Sequence, residues 1–316
     1  MSDNKSSFES TLKSSDTEEF IDIYFYRPIG YRWALFFDKL GVIPNQITIA
    51  SIIIGIAAGI CYYFDNIWIN VLGMFLLVWA NTYDSADGQL ARMIGKKSEI
   101  GRILDGLCGA FWFASIYLAI IFRLLPEWSW WILVLALITG YFHTRQTSMA
   151  DYYRNVHLFF LKGKAGSELD NSTVLKEKHK NLSWKKEPLV KLFETFYWSY
   201  TKGQERETPQ LQKMLKLLSE KYQHLPPNWF CSEFREKSLP LMKYTNMLSF
   251  NTRAIALFIS LLTDMPWLYF VFELTVLNIM LVYMVGRHEN ICKSFIRKLS
   301  EEPVNMSDHQ TDSEVC

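Results

Sequence analysis

Six apolar stretches, each near the ~20 residues that an apolar helix needs to cross a bilayer, constrain this chain more than any other feature. They fall at about residues 47–64, 67–83, 107–125, 128–142, 247–262 and 267–285. Trp128, Trp130, Trp131 and Trp267 stand at segment ends, where an aromatic belt belongs. The fold class expected is all-α integral membrane, with six transmembrane helices, the fourth running on as a helix past His143. Half of the 316 residues are hydrophobic, including 11 Trp, 16 Tyr and 22 Phe. The remainder is polar enough to require a soluble part as well.

Between the second and third apolar stretches lies DSADGQLARMIGKKSEIGRILD, residues 84–105. Ionisable groups at membrane depth cost about 2.5–3.5 kcal/mol each even on insertion scales, so an acidic block at the end of an apolar helix is read first as a functional site. A solvated loop explains the charge but not the spacing. Asp84 and Asp87 are three apart and share one helix face. Asp105 opens the next segment, so a short reversal brings a third carboxylate opposite them. All-oxygen ligation of this kind suits hard divalent ions, Mg²⁺ first and Mn²⁺ or Ca²⁺ after it. Gly88 lets a phosphate or nucleotide approach the backbone, Ala91 keeps the same face narrow, and Arg92 offers a guanidinium fork to phosphate oxygens. Gly95 and Gly101 permit the turn.

These residues resemble the signature of the CDP-alcohol phosphotransferases, integral membrane enzymes of phospholipid synthesis. In the pattern D-x2-D-G-x2-A-R-x8-G-x3-D-x3-D, the positions Asp84, Asp87, Gly88, Ala91, Arg92, Gly101 and Asp105 match the first seven fixed places. Seven such coincidences arise by chance on the order of once in 10⁹ starting points. Upstream, YRPIGYRWALFFDKLGVIPNQIT is similar to the family's amphipathic helix and the P-N-x-x-T opening of its first span. The resemblance covers roughly residues 26–125. It implies two metal ions held by Asp84, Asp87 and Asp105, with Gly88, Ala91, Arg92 and Gly101 around the nucleotide. It further implies a CDP-linked alcohol or CDP-diacylglycerol donor, an acceptor that is a polar headgroup or lipid alcohol, release of CMP, and a homodimer.

The eighth place of the pattern departs from it. Gly109 stands where the family carries the aspartate thought to deprotonate the acceptor and help hold the second metal, and no Asp or Glu occurs from Gly106 through Pro126. Three explanations stay open: a chain impaired in catalysis, a substitute base, or an acceptor acidic enough to need none. General-base help is worth about 10²–10⁴ in rate. His143 is the substitute base that general chemistry nominates, because imidazole exchanges a proton near neutrality. Past it, Arg145, Gln146, Asp151 and Arg154 are candidates for the acceptor, and a solvated helix exit explains them equally well.

The remaining chain divides by composition. Residues 1–20 are polar, Ser-rich and lack the apolar run of a secretory signal, and they are expected to be disordered. Residues 21–44 alternate aromatic and basic side chains like a helix in the headgroup layer; a partner-binding helix is the other reading. Residues 45–160 form the membrane core, 161–246 a helical cytoplasmic insertion with Thr208 as N-cap ahead of Pro209, 247–290 the last two spans, and 291–316 a cytoplasmic tail. Lys and Arg avoid the short loops near Asp65, Glu127 and Asp264 and gather on the opposite side. That places both termini and the acidic site in the cytoplasm, in an inner membrane or an endomembrane. Five scattered cysteines read as reduced thiols, and a net charge of +1 gives no sign of nucleic acid. Two further functions fit part of this pattern: an inactive homologue that binds a CDP-linked lipid or nucleotide, and a transporter or scaffold. The transporter requires no divalent-dependent CDP binding.

Overall fold

The computed structural model describes Phe8 and residues 14–95, 99–222 and 226–301. The tail expectations for residues 1–13, Phe8 excepted, and 302–316 lie outside them. A π-helical turn, Asp22–Tyr26, leads into α1 (Arg27–Lys39), followed by α2 (Pro44–Cys61), α3 (Ile67–Met93), α4 (Glu99–Trp128) and α5 (Trp131–Lys162). Next come α6 (Ser172–Asn181), α7 (Pro188–Glu207), α8 (Pro209–Tyr222), α9 (Asn228–Met247) and α10 (Phe250–Leu262). The last long helix joins α11 (Trp267–Phe272), a π-helical turn at Glu273–Leu277, and α12 (Asn278–Glu301). The fold is all-helical, with no strand among the described residues.

Among the described residues, three helices are long and apolar enough to cross a membrane: Pro44–Cys61, Gly101–Trp128 and Trp267–Glu301. The other apolar stretches are helical as well, but α10 has only 13 residues. In α3 and α5 the apolar run and the polar segment behind it form one continuous element. The chain divides into two compact units, Met1–Phe142 with Phe250–Thr275, and His143–Ser249 with Val276–Cys316.

In the first unit α2 is the hub, packing against both α3 and α4. Pro44 starts it, since a first-turn residue needs no N–H partner, and the Gln46 amide oxygen accepts the Ile43 N–H at 3.2 Å. Asn66 caps α3 by accepting from the N–H groups of Trp68 and Ile69 at 3.0 and 3.3 Å. Small residues set the approach of α2 to α4, as close backbone contact demands where lipid is the surrounding solvent. A Cβ at Gly55 would overlap the Trp112 indole, and one at Gly59 would overlap Ser115. Trp112 Nε1 donates to the Ser51 carbonyl at 3.1 Å, and Ser115 Oγ to that of Ile56 at 3.0 Å. Leu77, Ile116, Ile120, Leu257 and Phe270 fill the core around them.

Two ionic clusters lock this unit. Arg123 bonds Asp65 and Asp264, each at 2.7 Å, and so ties the loop after α2 to the loop after α10. Inside, Arg253 Nη1 meets Glu273 Oε1 at 2.7 Å with both side chains wholly buried, and the Tyr117 hydroxyl donates to Glu273 Oε2 at 2.5 Å. Glu273 opens the π-helical turn, a local rewinding that re-aims a side chain within an otherwise regular helix.

The second unit packs α12 against α8 and α9. Phe160, Phe230, Phe234 and Phe295 form its aromatic centre, with ring centroids 4.4 Å apart for Phe160 and Phe234 and 4.6 Å apart for Phe230 and Phe295. The N-terminus of α8 is capped from a distance: the Glu289 carboxylate accepts from the N–H groups of Gln210 and Leu211 at 2.8 and 3.2 Å. Thr208 stands at the N-cap position ahead of Pro209, where its carbonyl accepts the Gln212 N–H at 3.0 Å and its hydroxyl donates to the Gln204 carbonyl at 2.9 Å. A carboxylate also matches the partial positive charge at a helix start better than a hydroxyl does. Pro240 lies inside α9. Cys61, Cys108 and Cys292 are free thiols, whereas Cys231 is disulfide-bonded, which corrects the expectation that all five are reduced.

Removing one member of the buried pair leaves the other charge uncompensated, a loss of about 3–5 kcal/mol. Arg253→Leu is therefore expected to lower the thermal midpoint sharply. The double variant Arg253→Leu/Glu273→Leu should recover most of it, and a double variant no more stable than the single would contradict the account.

Candidate functional site

The acidic block sits where α1, α2 and α3 converge. Ala34, Ile47, Ala86 and Leu90 are buried together, with Trp33, Phe37 and Tyr83 around them, so an apolar seam fixes α3 at the turn that carries Asp84 and Asp87. The close approach of α1 needs Gly30, where a Cβ would come within 2.8 Å of Gln89 Oε1 and 2.9 Å of Ser85 Oγ. Gln89 Nε2 in turn donates to the Arg27 carbonyl at 3.1 Å. Arg27 Nε reaches Glu18 at 3.3 Å.

Asp87 is the best-anchored of the three aspartates. It is 4% exposed, and the Thr48 hydroxyl donates to its Oδ2 at 2.5 Å. That hydroxyl also lies 3.2 Å from the Pro44 carbonyl, but it has one proton, and the shorter contact takes it. Thr48 is the threonine of the P-N-x-x-T opening, so the first turn of α2 holds a carboxylate of α3. Burial pushes the Asp87 carboxyl well above the ordinary carboxylate range. The charges of Asp84 and Asp105 push it the same way, and Thr48 opposes them. Asp84 is half-buried and hydrogen-bonded to the Cys108 thiol, while Asp105 is exposed. Cys108 Sγ also lies 3.8 Å from Ser51 Oγ, which brings α4 against this end of α2 and α3.

The three aspartates therefore act on one another electrostatically, but they are not gathered at ligating distance. Among the described residues, no three His, Cys, Asp or Glu side chains are close enough to hold a metal ion. Their chemistry still fits a hard divalent cation. The donors are all carboxylate oxygens, and a positive charge among them would offset the repulsion that raises the proton affinity of Asp87.

Around them, Arg92 lies over Gly88: a Cβ at Gly88 would sit 3.4 Å from its Nη1, an ordinary contact. Burial and the charge of Arg27 bring the Arg92 guanidinium down to about 10, which leaves it a cation at neutral pH. Ala91 is half-buried beside it. Gly95 makes the expected turn with φ +66°. Gly101 does not, because α4 already begins at Glu99 and places both Gly101 and Asp105 within the helix. Gly109 follows Asp105 by one turn on the same face, and a Cβ there would meet nothing within 4 Å.

The remaining candidates belong to the second unit, and most are engaged there. Arg145 pairs with Glu207 at 2.8 Å, Gln146 Nε2 donates to Asn278 at 2.9 Å, and Asp151 accepts from Asn155 at 3.2 Å. Arg154 donates to Asn246 and Ser249 at 3.2 and 2.6 Å. His143 is half-buried. The residues that sequence reasoning missed are Thr48, Arg27, Ser85 and Gln89. Only Thr48 carried a signal, as the last letter of the P-N-x-x-T opening.

Residues 41–158 match the family model described as CDP-alcohol phosphatidyltransferase. A similar protein is the archaetidylinositol phosphate synthase of Pyrococcus horikoshii, 34% identical over 103 residues. The match covers 33% of this chain and 52% of the relative, so the chain spans about half the length of that protein. No solved structure matches significantly.

Groups that orient a metal-ligating side chain are typically worth 10–100-fold in metal affinity. If Asp87 ligates the ion as proposed below, Thr48→Val is expected to weaken Mg²⁺ binding by about that factor and, by leaving a buried carboxylate oxygen unsatisfied, to lower the thermal midpoint modestly, with Thr48→Ser restoring both. Calorimetric titration with Mg²⁺ in the presence of CDP measures it, and an unaltered affinity would remove Thr48 from the site.

Proposed function

We propose that this protein transfers a lipid phosphoryl group from a CDP-linked donor, of the CDP-diacylglycerol kind, to the hydroxyl of a phosphorylated polyol, releasing CMP. The observation that carries the proposal is Asp87, buried at the end of α3 and held by Thr48 within the seven-place acidic pattern. The family match at residues 41–158 supports the donor. The name of the archaeal relative supports an inositol phosphate acceptor. In this proposal the chain spans the membrane six times behind an interfacial helix, with the site cytoplasmic, and works as a homodimer.

Asp84, Asp87 and Asp105 would hold Mg²⁺, or Mn²⁺ in its place, and Arg92 would bind a phosphate oxygen over the open face of Gly88. Divalent ions at this position supply neutralisation of the pyrophosphate and of the attacking and leaving oxygens. The acceptor oxygen forms a bond to the phosphorus that carries the lipid, the bond from that phosphorus to the CMP oxygen breaks, and the hydroxyl proton must leave. Gly109 offers no group to take it. His143, the substitute base that general chemistry nominates, belongs to the second unit, and the variants below test whether it takes the proton.

A second reading is a homologue that binds the nucleotide without turnover, and Gly109 favours it. The two separate cleanly in reconstituted protein given CDP-diacylglycerol and inositol phosphate. An enzyme releases CMP, loses that release on chelation of Mg²⁺, and loses it in Asp87→Asn. Retained CDP binding with no CMP release selects the second reading.

Gly109→Asp then locates the missing base. Because the position is open, the variant should fold, and it is expected to raise CMP release by about 10²–10⁴-fold. If the rate stays level while His143→Gln lowers it, the proton goes to His143. If neither variant changes the rate, the acceptor needs no base.

A further inference from the structure

The α6–α7 hairpin of the second unit has one face engaged and another that leaves large apolar side chains exposed among the described residues. On the inner side Leu175 is buried. Lys178 Nζ meets the buried Glu194 at 2.8 Å, His179 Nε2 and Thr195 Oγ1 lie 2.9 Å apart, and Lys191 Nζ donates to the Leu182 carbonyl at 2.7 Å. The outer side is different. Leu192 and Phe196, four apart on α7, are 45% and 67% exposed, and Trp184 in the connecting turn, with Lys191 Nζ 5.6 Å from its ring centroid, is still 54% exposed. Lys185 and Lys186 follow Trp184 directly, and they and Lys180 are exposed.

Charge identifies what fits this face. Residues 172–191 contain six lysines and two glutamates, a formal charge of +4 with His179 neutral, in a chain whose net charge is only +1. A tryptophan flanked by lysines, beside an apolar helical stripe, is the composition of an interfacial anchor: the rings enter the boundary between headgroups and acyl chains, and the ammonium groups meet anionic headgroups. The same unit also contains residues 276–301 of a helix that is long and apolar enough to cross a membrane.

We infer that the outer face of the α6–α7 hairpin, through Trp184, Leu192, Phe196 and the lysines of the turn, is a docking surface for an anionic membrane. The inference is independent of the transfer reaction. It is tested in the full-length protein carrying Ser183→Cys labelled with an environment-sensitive fluorophore, with the labelled parent chain as background. The preparations are nanodiscs of phosphatidylcholine alone, nanodiscs of phosphatidylcholine mixed with phosphatidylglycerol, and detergent. In the anionic nanodiscs emission should shift to the blue, iodide quenching should fall several-fold, and nitroxide-bearing lipids should quench the label. Replacing Lys180, Lys185 and Lys186 with Gln, or Trp184→Ser with Phe196→Ser, should abolish the difference between the two lipid compositions without altering the thermal midpoint. Equal iodide access in both compositions overturns the proposal. Shielding that persists in detergent, with cross-links between chains, also overturns it and assigns the face to a second copy of the protein.

Discussion

The contact between the Thr48 hydroxyl and the Asp87 carboxylate joins two requirements that otherwise conflict. A carboxylate buried beside two others is unfavourable unless something satisfies its oxygens. Thr48 satisfies one of them from the start of α2, the helix that Pro44 opens. The same turn is fixed from behind by Ile47, which packs on Ala86 and Leu90 on either side of Asp87. Position and chemistry thus come from a single turn of α2. The small residues farther along that helix, Gly55 and Gly59, then decide how closely α4 approaches with Asp105.

The parts of this arrangement that were legible in the sequence are those governed by local pattern. Apolar runs marked the helices, i, i+3 spacing placed Asp84 and Asp87 together, and Gly95 announced its turn. Gly101 misled because glycine is read as a breaker, whereas a helix start at Glu99 absorbs it at modest cost. The residues that escaped are those whose partners lie far away in sequence. Thr48 and Asp87 are 39 residues apart, and Glu289 caps a helix 79 residues before it. Arg253 and Glu273 did carry a signal, since each is an ionisable residue inside an apolar stretch and therefore needs a named partner. Their pairing with each other and with Tyr117 became visible only once α4, α10 and α11 were in place.

Gly109 shows how a missing side chain can be more informative than a present one. Had the position been packed, the loss of a carboxylate there would be an adaptation of the fold, with a neighbour grown into the space. The space is instead open, one helical turn beyond Asp105 and on its face, while the seven places before it keep their spacing. The scaffold that would hold a base is intact where the base itself is gone. In the proposed reaction, a proton acceptor elsewhere would act on a hydroxyl positioned at the acidic block, and positioning contributes to rate on its own account. Under the proposed function, substitution at Gly109 would separate two contributions that are fused when the carboxylate is present: holding the reactants, the role proposed for the surrounding turn, and taking the proton.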